Sequence, residues 1–174
     1  MTESHEIVFV CWGNICRSPM AERVAQGWAA REGVEVRFTS AGVSDEERGH
    51  PIDPRAARVL RSAGYDPSGH RAHKITSNEV RKASLVIGME PIHLARIRNL
   101  VPSATNLRLL SDFDPEAGSG TGVPDPWYGP DAAFDDTLAA IEAAMPDLMT
   151  RARELTAGLA SASPHDTSRP GMAG

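Results

Sequence analysis

Cys11, Arg17 and Ser18 frame the segment Cys11-Trp12-Gly13-Asn14-Ile15-Cys16-Arg17-Ser18, which reads C-x5-R-S. Those residue types at that spacing suit a thiol that attacks a phosphate ester while a loop cradles the phosphate oxygens. A loop running into a helix N-terminus turns free backbone N–H groups inward and adds the positive end of the helix dipole. Such a nest binds a dianion and also stabilises a thiolate. Gly13 and Asn14 tolerate the positive φ angles that a tight cradle requires. Arg17 offers a planar fork of donors to two oxygens, where lysine would give only a point charge. Ser18 can donate its hydroxyl to the Cys11 sulfur when that sulfur leaves. C-x5-R alone recurs by chance, so its weight comes from the strand before it, the helix cap after it and the Gly-Asn inside it.

A thiolate nucleophile needs a partner that protonates the departing oxygen. Asp125, in Pro124-Asp125-Pro126-Trp127-Tyr128-Gly129, is the best candidate, on a proline-stiffened loop whose aromatics could hold an aryl ring. A carboxylic acid there would protonate the leaving oxygen and then deprotonate the water that attacks the phosphocysteine. An Asp-Pro turn with aromatics that merely pack is the competing reading.

The elements that must position these groups follow from patterning. Ile7 to Val10 is a continuous apolar run, as in a strand buried on both faces. Ser18 followed by Pro19 reads as an N-cap and first helical turn, and the helix runs to about Arg31 before Gly33 ends it. Val34 to Phe38 alternates like a second strand, and Ser40 to His50 reads as a polar loop. Helices are expected over 53–63, 77–82 and 91–100, and strands over 85–87 and 107–110. A Gly-, Pro- and Asp-rich loop then spans 111–130. The last helix runs from Asp131 to about Thr156, with Pro146 as a kink or break. The domain is expected to span 1–157, and residues 158–174 to form a disordered tail. Strands alternating with helices imply an α/β fold in three layers, with a four-stranded parallel sheet flanked by helices and the phosphate loop after strand one. Sites in such sheets sit at the carboxyl ends of strands, where both the Cys11 loop and the 111–130 loop fall.

Composition narrows the function classes. The chain has 174 residues, a net charge of −5 and 41% hydrophobic residues, enough for a single packed domain. No basic excess exists to neutralise nucleic-acid phosphates, and no apolar run is long enough to span a membrane. The N-terminus lacks a basic leader, so the cytoplasm is the expected location, with secretion without a signal left open. Cys11 and Cys16 are the two cysteines, too few for a disulfide framework and, in a reducing compartment, more often reactive than structural. His50, His73 and His93 show no metal-ligand spacing. Met89-Glu90-Pro91 reads as a strand-to-helix junction near the site, with Glu90 a carboxylate behind it. Arg55, Arg58, Arg61, Arg96 and Arg98 read as solvated helix faces.

The chain resembles the low-molecular-weight protein tyrosine phosphatases. VCWGNICRSPMAE near the N-terminus and DPWYG about 110 residues later match that family's two signatures in its order, and SAGVSD, DPRA and the His70 neighbourhood also resemble it. The similarity runs from about Ile7 to Glu154. It implies a two-step reaction on phosphotyrosine proteins and aryl phosphates through phosphocysteine, with inorganic phosphate or other oxyanions binding at the same site and no metal or organic cofactor. It further implies Cys11 as nucleophile, Arg17 as transition-state clamp and Asp125 as general acid. Asn14, Ser18, Ser40 and His70 would form the hydrogen-bond network that shapes the loop. Cys16 matches the second loop cysteine, which in the family can form a reversible disulfide with the nucleophile under oxidation.

Two departures stand out. The family's usual residue after the nucleophile is small or aliphatic, where this chain has Trp12. Many members carry an aromatic wall after strand two, where this chain has Glu46 and Glu47. Either Trp12 replaces the lost stacking surface in a pocket with Trp127 and Tyr128, or it points away and packs. The two glutamates at the rim should disfavour acidic phosphopeptides. Three rivals share parts of the pattern. Arsenate reduction on this scaffold relays electrons through further cysteines, and none follows Cys16. Arginine phosphatases typically carry threonine where this chain has Ile15, an apolar residue better suited to an aryl phosphate. A non-catalytic phosphate-binding module would not need the acid.

Overall fold

The structure is a computed structural model and describes residues 4–161. Strand β1 (Glu6–Cys11) is central, pairing in parallel with β2 (Arg37–Gly42) on one side and β3 (Leu85–Gly88) on the other. Strand β4 (Leu107–Leu109) completes a parallel sheet of order β2-β1-β3-β4. The continuous apolar run of β1 serves two cores, because successive side chains face opposite sides of a strand. Ile7, Phe9 and Cys11 face one cluster, built with α1 (Arg17–Glu32), α2 (Pro54–Ser62) and α5 (Ala132–Ser161). Val8 and Val10 face the other, built with α3 (Ser77–Lys82) and α4 (Pro91–Leu100). The expected three layers are therefore present, and the nucleophile candidate ends the central strand.

Three local expectations needed correction. Strand β2 does not occupy 34–38: Val34, Val36 and Phe38 do alternate inward, but the ladder begins where Arg37 pairs with Glu6. It continues through Thr39, Ser40, Ala41 and Gly42, small residues with little hydrophobic signal, so the first three residues of the expected polar loop are strand. Smallness is required there, since a Cβ on Gly42 would lie 2.7 Å from the Trp12 carbonyl oxygen. Of the kink or break expected at Pro146, the break is absent, and helix α5 runs through it. Pro146 is exposed on the helix, and its missing N–H leaves the Glu142 carbonyl without its usual helical donor. The same helix runs on to Ser161, past the end expected at about Thr156 and into the stretch expected as tail, with Ala157 a good helix former. The rest of the expected tail lies outside the described residues.

Strand β4 passes directly into a single 3-10 turn, Leu110–Phe113, which opens the long loop. That loop is seated against the end of β3: Val123 N–H donates to the Met89 carbonyl at 2.6 Å. Gly122 (φ +73) permits the approach, because a Cβ there would lie 2.8 Å from the same oxygen. Thus the sheet brings Cys11, Glu90 and Asp125 to one edge.

Candidate active site

The Cys11 loop enters α1 with Cys16, not Ser18, as N-cap, and the Cys16 side chain makes no cap hydrogen bond. Ser18 instead lies within the first turn, fully buried, with its Oγ 3.0 Å from Cys11 Sγ and 3.2 Å from the Ala41 carbonyl. Its one proton can serve either neighbour. With Cys11 as thiol, the S–H can donate to Ser18 and the hydroxyl to Ala41; with Cys11 as thiolate, the hydroxyl can turn to the sulfur.

Asn14 holds the loop's shape. Among the described residues it is the one non-glycine with positive φ, at 62°, and it is fully buried. Its Nδ2 donates to Ser18 Oγ at 2.9 Å and to Ser40 Oγ at 3.0 Å, and its Oδ1 accepts from the His73 N–H at 3.1 Å. Ser40 Oγ in turn donates to Glu22 at 2.9 Å. His70 is buried, and its Nε2–H donates to the Asn14 carbonyl at 2.7 Å. Burial holds the His70 pKa below its ordinary value, against that hydrogen bond and the Glu22 carboxylate 3.8 Å from Nδ1. A neutral imidazole with its proton on Nε2 keeps the bond to the Asn14 carbonyl.

Arg17 is 3% exposed, unusual for a guanidinium unless it is paired. Its Nη1 donates to Glu90 and, at 2.8 Å, to the Val123 carbonyl. Its Nη2 lies 3.4 Å from Asp125 Oδ2. Glu90 is itself held by His93, whose Nδ1 accepts from the Glu90 N–H at 3.0 Å. Burial, followed by the nearby Arg17 charge, lowers His93 to about 4, so this ring is neutral at pH 7. Sequence placed Glu90 at the junction and behind the site; its pairing with Arg17 required the β3 end and the phosphate loop to meet. The signal was a glutamate just before Pro91 at a strand-to-helix entry.

The Asp125 loop is braced by Arg55, which the sequence assigned to a solvated face. Arg55 pairs with Asp53, the N-cap of α2, at 3.1 Å, and lies over the rings of Phe134 (4.6 Å) and Trp127 (5.2 Å). Its Nη1 also donates to the Trp127 carbonyl at 3.4 Å. Asp53 N–H donates to the Ile15 carbonyl at 2.8 Å, while Trp127 N–H donates to Asp125 Oδ1 at 3.1 Å. A chain of contacts thus joins the phosphate loop to the carboxylate facing it. Cys16 is buried beside Asp53, and burial, with that charge and Cys11, pushes its thiol well above the ordinary range.

These groups line one pocket of about 240 Å³: Cys11, Gly13, Ile15, Cys16 and Arg17 from the loop, Asp125, Trp127 and Tyr128 from the facing loop, and Trp12, Glu46 and Glu47 at its border. Asn14, Ser18, Ser40 and His70 lie behind it. Tyr128 is 93% exposed and Trp127 39%. Glu47 contacts His50 at 2.6 Å and stands close against Gly13. The Trp12 ring packs on the second core, with the Arg96 guanidinium 4.7 Å from its centroid.

A profile of the family described as low molecular weight phosphotyrosine protein phosphatase matches residues 6–159. The low molecular weight protein-tyrosine phosphatase A of Mycobacterium tuberculosis is 39% identical over 151 residues, covering 85% of this chain and 91% of that one. The chain belongs to this family. Among solved structures, a protein tyrosine phosphatase from Entamoeba histolytica with Hepes in its active site superposes with a TM-score of 0.82, at 25% identity over 88% of this chain and 99% of that one. The YwlE arginine phosphatase, carrying a phosphorylated active-site serine, superposes at 0.77, with 28% identity over 86% of this chain and 96% of that one. As a low molecular weight phosphatase, the chain carries its Cys11 and Asp125 loops on one sheet edge, with Trp12, Glu46 and Glu47 lining the same pocket. Among its described residues no helix is long and apolar enough to cross a membrane.

Proposed function

We propose that this phosphatase hydrolyses phosphotyrosine in proteins, and simple aryl phosphates, through a phosphocysteine formed on Cys11. The observation that carries the proposal is the meeting in one pocket of a buried thiol, a buried guanidinium and a carboxylate, with Asp125 Oδ2 3.4 Å from Arg17 Nη2. The Cys11 thiolate attacks phosphorus in line with the leaving phenoxide, and Asp125 gives its proton to that oxygen. Arg17 and the N–H groups at the start of α1 take the charge gathering on the equatorial oxygens. Glu90 and the Val123 carbonyl hold Nη1, which fixes the plane of the fork and directs its Nε–Nη2 edge to two oxygens. In the second step Asp125, now a carboxylate, takes a proton from water, the oxygen attacks phosphorus and Cys11 departs as thiolate. The Ser18 hydroxyl, 3.0 Å away, stabilises that sulfur in both steps. Asn14, Ser40 and His70 keep the loop in the shape that this requires.

Tyrosine is favoured over arginine as the phosphate carrier. The scaffold alone does not divide them, since an arginine phosphatase superposes well. The apolar Ile15 in the pocket wall, with Trp127 and Tyr128 opposite, suits an aryl ring better than a guanidinium. Cytoplasmic phosphoproteins are the expected substrates, and a −5 chain with an acidic pocket border is not suited to nucleic acid. Steady-state hydrolysis of a phosphotyrosine peptide and a phosphoarginine peptide tests the assignment. Faster kcat/KM on phosphotyrosine is expected, and the reverse order would overturn it.

A further inference from the structure

Trp12 is a loop residue for which the mechanism has no use. Strand alternation turns it to the sheet face opposite Cys11, where Arg96 of α4 covers its ring. Arg96 is also a wall of a second depression of about 290 Å³, floored by Val43, Ile75 and Ile97 and edged by Lys74. This groove adjoins the phosphate pocket, because Trp12 borders the pocket on one side and carries Arg96 on the other. Lys74 and Arg96 are both exposed, and neither has a carboxylate within ion-pair distance among the described residues. The glutamates line only the phosphate pocket, and the two cations line only the groove.

We propose that this groove is a subsite for the substrate segment flanking the phosphotyrosine, and that it accepts an acidic side chain. The proposal rests on the phosphotyrosine reading above. An aspartate or glutamate meets Lys74 and Arg96 with its carboxylate, while its methylenes or an adjoining aliphatic residue cover Val43, Ile75 and Ile97. An extended chain advances about 3.3 Å per residue, so a residue a few positions from the phosphotyrosine passes the Trp12–Arg96 wall. The rim is therefore selective by position. Acid close to the phosphotyrosine meets Glu46 and Glu47 and is disfavoured, whereas acid that reaches the groove is favoured.

Phosphotyrosine peptides with one glutamate scanned through the three positions on either side, in an otherwise alanine background, give the test. The readout is kcat/KM relative to the all-alanine peptide within each protein, so a general loss of catalysis cancels. Wild type at low salt is expected to favour glutamate roughly 3- to 10-fold at one or two positions, mainly through KM. The double variant Lys74→Glu, Arg96→Glu should invert that preference, disfavouring glutamate relative to alanine at the same positions. A wild-type profile flat at every position, or a preference that survives charge reversal, overturns the subsite while leaving the phosphatase intact. A flat profile together with a dimer that dissociates on charge reversal would assign the groove to a second copy of the chain and overturn it equally. Absence of phosphotyrosine turnover in wild type would overturn both this proposal and the function on which it rests.

Discussion

Replacing Asn14 separates the two demands that the phosphate loop places on one residue. Asn14→Ala deletes two donated bonds and one accepted bond, all in a fully buried network. At about 1 kcal/mol each, these amount to about 3 kcal/mol. Alanine must also hold φ at 62°, which costs a further ~1 kcal/mol or more. Asn14→Gly loses the same bonds without that strain, but gives the unfolded chain more freedom, which returns about 0.4–1 kcal/mol of the advantage. Urea unfolding monitored by tryptophan fluorescence should place Asn14→Ala about 4 kcal/mol below wild type, with Asn14→Gly equal to it or up to about 1 kcal/mol better. Both should also lose most aryl phosphate turnover, because Ser18, the partner of the Cys11 sulfur, is no longer held. An alanine variant within about 1 kcal/mol of wild type would refute the argument. So would a glycine variant clearly less stable than the alanine one.

Arg55→Ala should lower kcat about tenfold for esters with poor leaving groups and much less for activated aryl esters, since it frees the loop that aims Asp125; an equal drop across a leaving-group series would separate Arg55 from the acid. His93 gives a pH dependence. Its folded pKa of about 4 lies below the unfolded value of 6.5, so the unfolded chain binds more protons between them. Its contribution is intact above 6.5 and is lost as pH falls towards 4, by about 3 kcal/mol in all. Acid unfolding followed by circular dichroism should show a shallower slope over that window in His93→Asn, and an unchanged slope would show that His93 does not carry it. Glu90→Gln should tighten inorganic phosphate binding several-fold by titration calorimetry, because the amide oxygen can still accept from Nη1 while the negative charge near the dianion is gone. Its stability without phosphate should fall by about 1 kcal/mol, a figure held down by the one-third exposure of Glu90; weaker phosphate binding would show that the fork is held by the carboxylate's charge and not by the hydrogen bond alone.

The sequence revealed what depends on residue type at fixed spacing. The C-x5-R-S loop, the alternation of apolar strands with helices and the Gly33 helix stop are all local signals, and each lies where it was expected. Errors arose where tertiary contact outweighs local pattern. Strand β2 extends through Thr39-Ser40-Ala41-Gly42 because β1 supplies its ladder and the phosphate loop demands small neighbours, neither of which alternation records. Ser18 reads as a helix cap from its neighbour Pro19, yet its hydroxyl is directed to Cys11 and Ala41. Arg55 and Arg96 look like ordinary solvated charges on their helices, and only the packing of distant loops places aromatic rings beneath them. Glu90 had the right address without a visible partner, since the ion pair with Arg17 spans 73 positions of chain.

The central claim is that Cys11 takes the phosphoryl group. Asp125→Asn, mixed with an activated aryl phosphate and quenched in acid within the first turnovers, should carry one phosphoryl group on the peptide that contains Cys11, identified by mass spectrometry with fragmentation. Cys11→Ser treated in the same way should release no phenol at a catalytic rate and still bind inorganic phosphate. A phosphoryl group found on Cys16, or phenol release at the wild-type rate from Cys11→Ser, would contradict the account.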